Sequence, residues 1–340
     1  MTHFGFSFSV QPLTLRRLLV LAGTGLLAGT LSVQATQALA QDFPPKKNIT
    51  MIVGFVAGGA ADTGARIIAK RLGENLSVSV TVENKAGAGG NIAHQLTATG
   101  PADGSVLLLG SVGPLAIAPH MMKLPYDPVK DLAPLTMAAN FQNVLVVDPG
   151  AGIKTFAEFV ATARKNPGKL TFASTGPGSA SHLAGELLND MAKLDTVHVP
   201  YKGGAAALQD VLGGRVTGWY ATMATAAPHI EAGKLIPLAS TGTQRLPSLP
   251  KVPTIAESGF PGFNATNWYA FVASSKVPKP VLDRWNTELV KVLTAPDVAE
   301  QLNKHGLTPQ PGTRDELARY MATDTAMWGR VIRERKIVVD

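Results

Sequence analysis

The sequence predicts an α/β protein in which short strands alternate with helices along the chain. Three observations support this fold class: short apolar runs recur between stretches of helical periodicity, glycine turns follow several of the runs, and the 340 residues suffice for two medium domains. Strands separated by helices are typical of parallel sheets covered on both faces. We therefore expect parallel strands whose carboxyl ends share one edge of a sheet.

The first predicted strand, 49–56, meets Gly58 and Gly59, and Asp62 then caps a helix predicted over 61–76. Further strands are predicted at 78–83, 106–110, 144–147, 170–174, 196–199, 216–220 and 235–240. Further helices are predicted at 92–98, 155–165, directly after 174–179, 205–212, 228–232, 278–293, 297–305 and 314–333. The proline-rich segment 124–135 is predicted to be a surface loop.

The first forty residues have the three regions of a secretory signal peptide. Arg16 and Arg17 precede an apolar run over 18–31, and residues 38–40 form a small-residue cleavage pattern. The run is shorter than the roughly 18 residues expected of a membrane span. We expect cleavage after Ala40 and export of residues 41–340 to the periplasm, with an uncleaved anchor as the alternative.

The composition excludes several classes of function. The chain has no cysteine, which rules out disulfides, thiolate nucleophiles and cysteine–zinc sites. Its formal net charge is +7, two units of which come from the leader, and no cluster of about five basic residues occurs. We therefore expect no nucleic-acid partner. No segment after the leader reaches about 18 apolar residues, so we expect no membrane insertion either. The modest positive charge suits a small acidic ligand.

Small, polar, glycine-bearing turns follow four of the predicted strands, at 57–62, 111–114, 174–179 and 201–204. In open α/β sheets, ligands bind at the carboxyl ends of strands. A helix that begins there offers free backbone N–H groups to an anion. Each turn could also serve only to lead the chain into a helix. We expect the four turns to converge on one anion-binding cleft, with Ser111 and Gly113 among its ligand-binding residues.

Recognised catalytic patterns are missing from the chain. The nucleophile elbow, the Walker A sequence and the dinucleotide-binding glycine motif are absent, so we expect no cofactor. Ser179 and His182 share a face of the predicted helix, which leaves an exported serine hydrolase as an alternative, although Ser179 is better explained as a helix cap. His182 and Glu186 lack the partners of a recognised metal motif, and we expect no metal. Binding is therefore favoured over catalysis.

Several long motifs follow one another in the chain after the leader. They include VGFVAGGAADTGARIIA (53–69), VTVENKAGAGGNI (80–92), PGKLTFASTGPGSASHLAGELL (167–188), HVPYKGGAAALQDVLGGRV (198–216) and LPKVPTIAESGFPGF (249–263). In these motifs the sequence resembles the substrate-binding receptors of tripartite tricarboxylate transporters, often called Bug-type receptors. The resemblance implies a type II periplasmic binding protein fold with two α/β lobes joined by two chain crossings. Lobe 1 would contain 42–143 plus 265–340, and lobe 2 would contain 144–264.

The resemblance also implies a function. Such receptors capture a small carboxylate (a dicarboxylate, an acidic amino acid or an aromatic acid) between the lobes and deliver it to a membrane permease. A receptor of this kind is expected to act as a monomer and to perform no chemistry. A ligand-sensing receptor that feeds a signalling partner is the alternative within the same class.

The resemblance further implies which residues bind the ligand, mainly through backbone amides and hydroxyls. The matching residues are Phe55, Ala57, Gly58, Gly59 and Ala60 with the following Asp62, then Ser174, Thr175, Gly178 and Ser179, and finally Tyr201, Lys202 and Gly203. Asp62 is expected to cap its helix rather than touch an anion, and Lys202 either contacts the ligand or lies on the surface.

Two positions depart from the family pattern. Ala57 stands where many relatives have proline, and Trp219-Tyr220 stand where relatives often have Met-Phe. Tyr220 and Thr222 are expected to face the cleft from lobe 2. The ring of Tyr220 either stacks on an aromatic ligand or belongs to the core, and the sequence leaves both interpretations open.

Overall fold

The computed structural model describes residues 1–3, 5, 43–44 and 48–337. The chain divides into two compact units, Met1–Phe43 and Pro44–Asp340, and the second contains every helix and strand described below. The predicted signal peptide, 1–40, lies almost entirely outside the described residues, so its three regions stay a prediction. None of the described helices is both long enough and apolar enough to span a membrane.

Eleven strands within the described ranges form two sheets. The strands are β1 (Asn48–Val53), β2 (Ser79–Asn84), β3 (Val106–Ser111), β4 (Leu132–Phe141), β5 (Asn143–Val147), β6 (Thr171–Ser174), β7 (Val197–Pro200), β8 (Gly218–Thr222), β9 (Ile236–Ser240), β10 (Asn267–Ser274) and β11 (Thr308–Pro309). The first sheet has the order β11-β4-β10-β3-β1-β2, and the second has the order β7-β6-β8-β5-β9.

Helices follow many of these strands along the chain. They are α1 (Ala60–Leu76), α2 (Asn91–Ala98), α3 (Phe156–Lys165), α4 (Ala180–Ala192), α5 (Gly204–Leu212), α6 (Met223–Glu231), α7 (Lys279–Leu293), α8 (Pro296–Lys304) and α9 (Arg314–Arg335). Short helical turns cover Ala88–Gly90, Gly113–Ile117, Ala118–His120 and Pro149–Ala151. The alternation of strands and helices predicted from the sequence is therefore present, and the fold class is confirmed.

The expectation of parallel strands is correct for only part of each sheet. In the first sheet, β1 pairs in parallel with β2 and β3, but β10 is antiparallel to both β3 and β4. In the second sheet, β6 is parallel to β7 and β8, whereas β5 is antiparallel to β8 and β9. The antiparallel strands β5 and β10 are the first strands that the chain forms after it passes from one sheet to the other. They therefore do not arise from a strand–helix–strand repeat.

Several local predictions need correction. The strands β4, β10 and β11 were not predicted. The predicted surface loop 124–135 is wrong over its last four residues, because β4 begins at Leu132 and is mostly buried despite containing a proline. Every residue of β10 is buried and shows no alternation, and β11 has only two residues. The helix predicted at 228–232 begins five residues earlier, at Met223, and contains Pro228 within it. The N-cap of α1 is Gly59 rather than Asp62.

The chain passes between the sheets at two adjacent places. Strand β4 ends at Phe141 in the first sheet, and β5 begins at Asn143 in the second; the return follows β9 and reaches β10 at Asn267. Thr241 joins the two passages, since its Oγ1 lies 3.2 Å from Asn143 O and 3.1 Å from Ala265 O. The two chain crossings are therefore held side by side where these strands end.

Buried tryptophans attach the C-terminal helices to the first sheet. Trp285 of α7 donates from Nε1 to Gly104 O over 2.9 Å, and Trp268 of β10 donates to Asp324 Oδ2 of α9 over 2.9 Å. Both rings are essentially fully buried. These bonds satisfy polar groups that would be costly to leave unpaired in the core, and they fix the helices that cover the sheet.

Candidate functional site

A cavity of about 30 Å³ lies where the carboxyl ends of the parallel strands of both sheets meet. Strands β1, β3, β6, β7 and β8 all end at this place, and each is followed by a turn or a helix. The volume exceeds what one water molecule needs. The residues lining the cavity are Phe55, Gly59, Ala60, Ala61, Ser111, Gly113, Asn143, Thr175, Ser179, Ala180, Ser181, Gly204, Trp219, Tyr220, Thr222, Asn267 and Tyr269.

Four helices begin at the wall of the cavity. Helix α1 starts after Gly59, α4 after Ser179, α5 at Gly204 and α6 after Thr222. The first N–H groups of a helix have no partner within the helix, and its N-terminus carries about half a positive charge. The cavity therefore has a positive potential and several free donors, although no charged side chain in the described part of the chain lines it.

The first wall of the cavity is the turn between β1 and α1. Gly58 has a φ of 83°, which an L side chain adopts only with strain, and it brings the chain into α1. Phe55, Gly59 and Ala60 line the cavity as predicted, together with Ala61, which the sequence interpretation missed. Ala61 adjoins the predicted residues, and its position on the first helical turn is the signal that could have found it.

Asp62 stands on the first turn of α1 but does not line the cavity. Its carboxylate accepts from Gly58 N–H at 3.0 Å, Asn84 Nδ2 at 2.9 Å and the guanidinium of Arg66 at 2.9–3.1 Å. Burial raises the pKa of Asp62, but these hydrogen bonds outweigh burial and hold its pKa below the ordinary value. The ionised carboxylate thus stabilises the glycine turn on the side away from the cavity. Its acceptor positions are already used by Gly58, Asn84 and Arg66.

The second wall is the loop between β6 and α4. Ser179 caps α4, as predicted, by accepting from His182 N–H at 3.3 Å, and Ser181 Oγ accepts from Thr175 N–H at 2.9 Å. Ser174 is fully buried and lies 2.5 Å from His198 Nε2, away from the cavity lining. Thr175 and Ser179 are therefore the predicted residues of this loop that reach the cavity, while Ser174 supports the loop.

Gly178 and Tyr201, which were predicted to bind the ligand, do not line the cavity. Gly178 donates from its N–H to His182 Nδ1 over 3.2 Å, and Tyr201 donates from its hydroxyl to Asp210 Oδ2 over 2.7 Å. Burial, followed by the hydrogen bond to Asp210, raises the pKa of Tyr201 to about 12. Ala57, Gly58, Asp62, Lys202 and Gly203 also lie outside the lining.

The structure does not form the nucleophile–base pair of the hydrolase alternative. Ser179 Oγ contacts the backbone N–H of His182 and Ser181 Oγ, not the imidazole ring. The His182 ring accepts from Gly178 N–H and lies 3.9 Å from Glu186, and it stacks on His198 with ring centres 3.9 Å apart. Burial, followed by the charge of His198, lowers the pKa of His182 to about 3. His182 is thus a neutral structural residue.

Aromatic rings form much of the remaining wall. Tyr220 is 2% exposed and packs edge-on against Phe172, with ring centres 5.8 Å apart, while it also lines the cavity. The ring centres of Tyr269 and Phe141 lie 4.6 Å apart. Burial raises the pKa of both tyrosines above the ordinary value, so both are neutral phenols. The two interpretations of Tyr220 are therefore not exclusive, because one edge of the ring belongs to the core.

Three lining residues carry polar atoms that are buried without a hydrogen-bond partner. These atoms are Ser111 Oγ, Asn143 Oδ1 and Trp219 Nε1. Most buried polar groups in proteins are paired, so each exception needs an explanation. Ser111 was predicted, whereas Asn143 and Trp219 were not. Asn143 is a polar residue at the start of the otherwise apolar strand β5, where the chain crosses between sheets. That contrast is the sequence signal that could have identified it.

Other lining residues were also missed by the sequence interpretation. Ala180, Ser181 and Gly204 directly follow predicted residues at the starts of α4 and α5. Asn267 and Tyr269 belong to β10, which was not predicted at all. Within the described ranges, no three histidine, aspartate or glutamate side chains come together in a manner that could hold a metal ion.

Backbone segments from the two sheets meet at glycines beside the cavity. A Cβ atom on Gly89, in the turn before α2, would lie only 2.2 Å from Pro177 O, and one on Gly203 would lie 2.9 Å from Val56 Cγ2. Val56 N–H donates across the same gap to Lys202 O over 3.2 Å. The approach of these segments therefore depends on residues without side chains.

Comparison with known proteins gives a consistent family match. Residues 64–337 match the model of the tripartite tricarboxylate transporter family receptor. The protein BugT of Bordetella pertussis (strain Tohama I) is 34% identical over 317 residues, which are 93% of this chain and 97% of BugT. The similarity therefore extends over nearly the whole of both chains.

Two solved structures have the same fold. A protein of R. palustris solved with adipate has a TM-score of 0.83 and 32% identity, covering 87% of this chain and 99% of its own. The periplasmic binding protein BugD has a TM-score of 0.82 and 30% identity, covering 86% of this chain and 98% of its own. The fold predicted from the resemblance is thereby confirmed.

Proposed function

This chain belongs to the tripartite tricarboxylate transporter receptor family, and we propose that it captures a small carboxylate in the cavity and delivers it to a membrane permease of that transporter type. The observation that carries the proposal is the convergence of four helix N-termini on a cavity that no charged side chain of the described residues lines. Such a wall stabilises an anion through N–H donors and helix dipoles and leaves the ligand free to dissociate.

A carboxylate suits this wall better than a larger anion. The cavity is small, and its donors come from both sheets: the α1 turn on one side and the α4 and α5 turns on the other. A planar carboxylate has four acceptor positions, which donors on opposite sides can share. The protein of R. palustris solved with adipate supports the same ligand class, because adipate is a dicarboxylate.

We place the moving lobes as the sequence suggested, with 42–143 plus 265–340 as lobe 1 and 144–264 as lobe 2. The two crossings beside Thr241 would serve as the hinge, and ligand binding would favour the closed arrangement of the lobes. The receptor would act as a monomer in the periplasm after removal of the signal peptide. The sensing alternative uses the same cavity and stays a prediction.

The ligand-binding residues are proposed on the same basis. Backbone N–H groups at Gly59, Ala60, Ala180 and Gly204 would hold the carboxylate, and Ser111 would donate from its unpaired hydroxyl. Ser179, whose own N–H already donates to Gly176 O over 3.2 Å, would position the start of α4 as its cap. The predicted residues that do not line the cavity would shape and support these loops without side-chain contact to the ligand. They are Ala57, Gly58, Asp62, Ser174, Gly178, Tyr201, Lys202 and Gly203.

Thermal unfolding of the exported protein against a carboxylate panel tests the proposal. The panel contains dicarboxylates of three to six carbons, citrate, acidic amino acids and benzoate, with the matched amides as controls. A ligand at about 100 times its Kd adds about 2.7 kcal/mol to the free energy of unfolding, which raises Tm by several degrees. A shift with a carboxylate and none with its amide is expected. Equal shifts with acid and amide, or no shift with any acid, would overturn carboxylate capture.

A pair of serine variants locates the binding site. Ser111→Ala removes an unpaired hydroxyl that lines the cavity, and Ser240→Ala removes an equally buried, unpaired hydroxyl on β9 that does not. A hydrogen bond to a charged group contributes about 1.5–3 kcal/mol, so Ser111→Ala should weaken carboxylate binding by about tenfold or more. Equal affinities for the two variants in calorimetry would place the ligand elsewhere.

A further inference from the structure

Two stacked histidines hydrogen-bond to the loop between β6 and α4 without lining the cavity. The ring centres of His182 and His198 lie 3.9 Å apart, and His182 is buried. His182 Nδ1 accepts from Gly178 N–H over 3.2 Å. His198 Nε2 lies 2.5 Å from Ser174 Oγ, which in turn accepts from Gly176 N–H over 3.0 Å. The histidines therefore hold the N–H groups of two loop glycines, one directly and one through a serine.

The two glycines need such support from outside the loop. Gly176 and Gly178 have φ angles of 121° and 71°. Because glycine has no Cβ atom to restrict its backbone, contacts with other groups must select these conformations. The hydrogen bonds from the stacked rings are contacts of this kind.

The histidines also complete the hydrogen bonding of the loop backbone. Thr175 N–H donates to Ser181 Oγ over 2.9 Å, and Ser179 N–H donates to a carbonyl within the loop over 3.2 Å. With the two glycines held by the histidines, and with a proline as the remaining residue, every N–H of 175–179 is paired. The next two N–H groups, those of Ala180 and Ser181, have no acceptor among the described residues, and both residues line the cavity. The free donors of α4 therefore begin directly after the supported loop.

The same loop contacts turns of the first sheet. A Cβ atom on Gly176 would lie 2.7 Å from Gly89 N, in the turn before α2. A Cβ atom on Gly113, in the turn after β3, would lie 2.8 Å from Gly178 O. The two glycines that the histidines support are therefore the ones that touch the other sheet. A change in the shape of this loop would move the free N–H groups of α4 relative to the α1 turn across the cavity.

The bond from Gly178 determines which nitrogen of His182 carries the proton. The ring is neutral because burial, followed by the charge of His198, lowers its pKa to about 3. A neutral imidazole has one donor and one acceptor nitrogen, so Nδ1 is the acceptor and Nε2 carries the hydrogen. Glu186 Oε1 lies 3.9 Å from Nε2 and favours this tautomer.

We propose that His182 and His198 are positioning residues of the receptor, which hold the loop 174–179 so that the first free N–H groups of α4 meet the bound carboxylate. This inference rests on the proposed function and assigns to the two rings the placement of the lobe 2 donors, without contact to the ligand. A glycine N–H that loses its acceptor is costly to leave unpaired, so the loop would change its shape. Loss of one resulting bond to the carboxylate weakens binding about tenfold or more.

Two variants at position 182 separate the hydrogen bond from the ring. The amide oxygen of asparagine can replace Nδ1 as an acceptor, whereas leucine has a similar shape and no acceptor. Both variants lose the stacked ring, so they share any packing defect. Among malonate, succinate, glutarate and adipate, the acid that binds the natural protein most tightly should bind His182→Leu about tenfold more weakly than His182→Asn in calorimetry. Equal affinities would overturn the inference and leave carboxylate capture standing. Binding of none of the panel acids by the natural protein would overturn both.

A second pair of variants tests His198 in the same assay. Glutamine can place an amide near the position of Nε2, whereas methionine has similar length and lacks a strong hydrogen-bonding group. His198→Met should bind the same acid about tenfold more weakly than His198→Gln. Equal affinities of this pair would remove His198 from the positioning role.

Nitrogen NMR of the natural exported protein tests the arrangement without any variant, and so does not depend on the folding of the variants. The ring of His182 should show an unprotonated Nδ1 and a protonated Nε2, with a coupling between Nδ1 and the amide of Gly178. A protonated Nδ1 would overturn the inference, because two N–H groups cannot hydrogen-bond to each other.

Discussion

The glycine at position 89 offers a direct test of whether the ligand binds between approaching lobes. A Cβ atom there would lie 2.2 Å from Pro177 O, on the loop that follows β6 of the second sheet. Real Cβ atoms essentially never come closer than 3.0 Å to such an atom. Both groups belong to the backbone and cannot rotate away, so in Gly89→Ala the two segments must separate by most of an ångström.

The control for this variant is Gly152→Ala. Gly89 and Gly152 have φ angles of 64° and 69°, so alanine suffers the same left-handed strain, about 1–2 kcal/mol, at both. A Cβ atom on Gly152 would meet nothing within 4 Å. The difference between the two variants therefore isolates the contact between the sheets from the strain of the backbone.

The expected effect falls on ligand affinity rather than on folding. Separation of the loops withdraws the α4 turn from a carboxylate held at α1, which removes at least one hydrogen bond to a charged group, worth about 1.5–3 kcal/mol. Gly89→Ala should therefore bind the best carboxylate of the panel about 10- to 100-fold more weakly than Gly152→Ala, with similar ligand-free Tm values. Equal affinities in calorimetry would refute the reasoning, because the ligand would then not need the sheets to approach.

The remaining predictions concern stability. Burial lowers the pKa of His94 to about 4 and that of His182 to about 3. The contribution of each neutral ring to the free energy of unfolding is therefore fully present above the unfolded pKa near 6.5 and is lost as the pH falls. Each histidine should lower the free energy of unfolding by about 2 kcal/mol between about pH 7.5 and pH 5, as measured by urea unfolding. A free energy of unfolding that stays constant over this pH range would contradict the burial of the two histidines as neutral rings. Asp62→Asn should lower the free energy of unfolding by about 1–2 kcal/mol, because charge-assisted bonds to the α1 turn are lost; an unchanged urea midpoint would show that the turn does not need the charge. Thr313→Ala breaks the capping box of α9 and should cost about 1 kcal/mol, seen as a fall in Tm of about 2–4 °C, whereas an unaltered Tm would mean that the cap is dispensable.

Local sequence signals predicted the elements whose stability is local. The apolar run of β1, the glycine turn after it and the periodic residues of α1 stand almost as predicted, and Ser179 caps α4 as expected. These features depend on backbone conformation and on neighbours within a few residues. The strand ends and glycine turns that line one side of the cavity were therefore accessible from sequence and from the family resemblance.

The tertiary structure decided the features that join distant parts of the chain. Strand β10 owes its place to pairing with β3 and β4, and its fully buried residues carry no period that a sequence pattern could show. Asp62 accepts from Asn84 and Arg66, so its role as a brace depends on the neighbouring strand β2.

By itself, the sequence determined the α/β class, the glycine turns and most of the helix starts, because each follows from short-range backbone preferences and apolar periodicity. Only the folded chain brought Asn143 and Asn267, from the two crossings, to the same cavity as Trp219. Hydrogen-bonding capacity at a site depends on which groups remain unpaired after packing. That outcome is settled by contacts between residues far apart in the chain, and no local pattern encodes it.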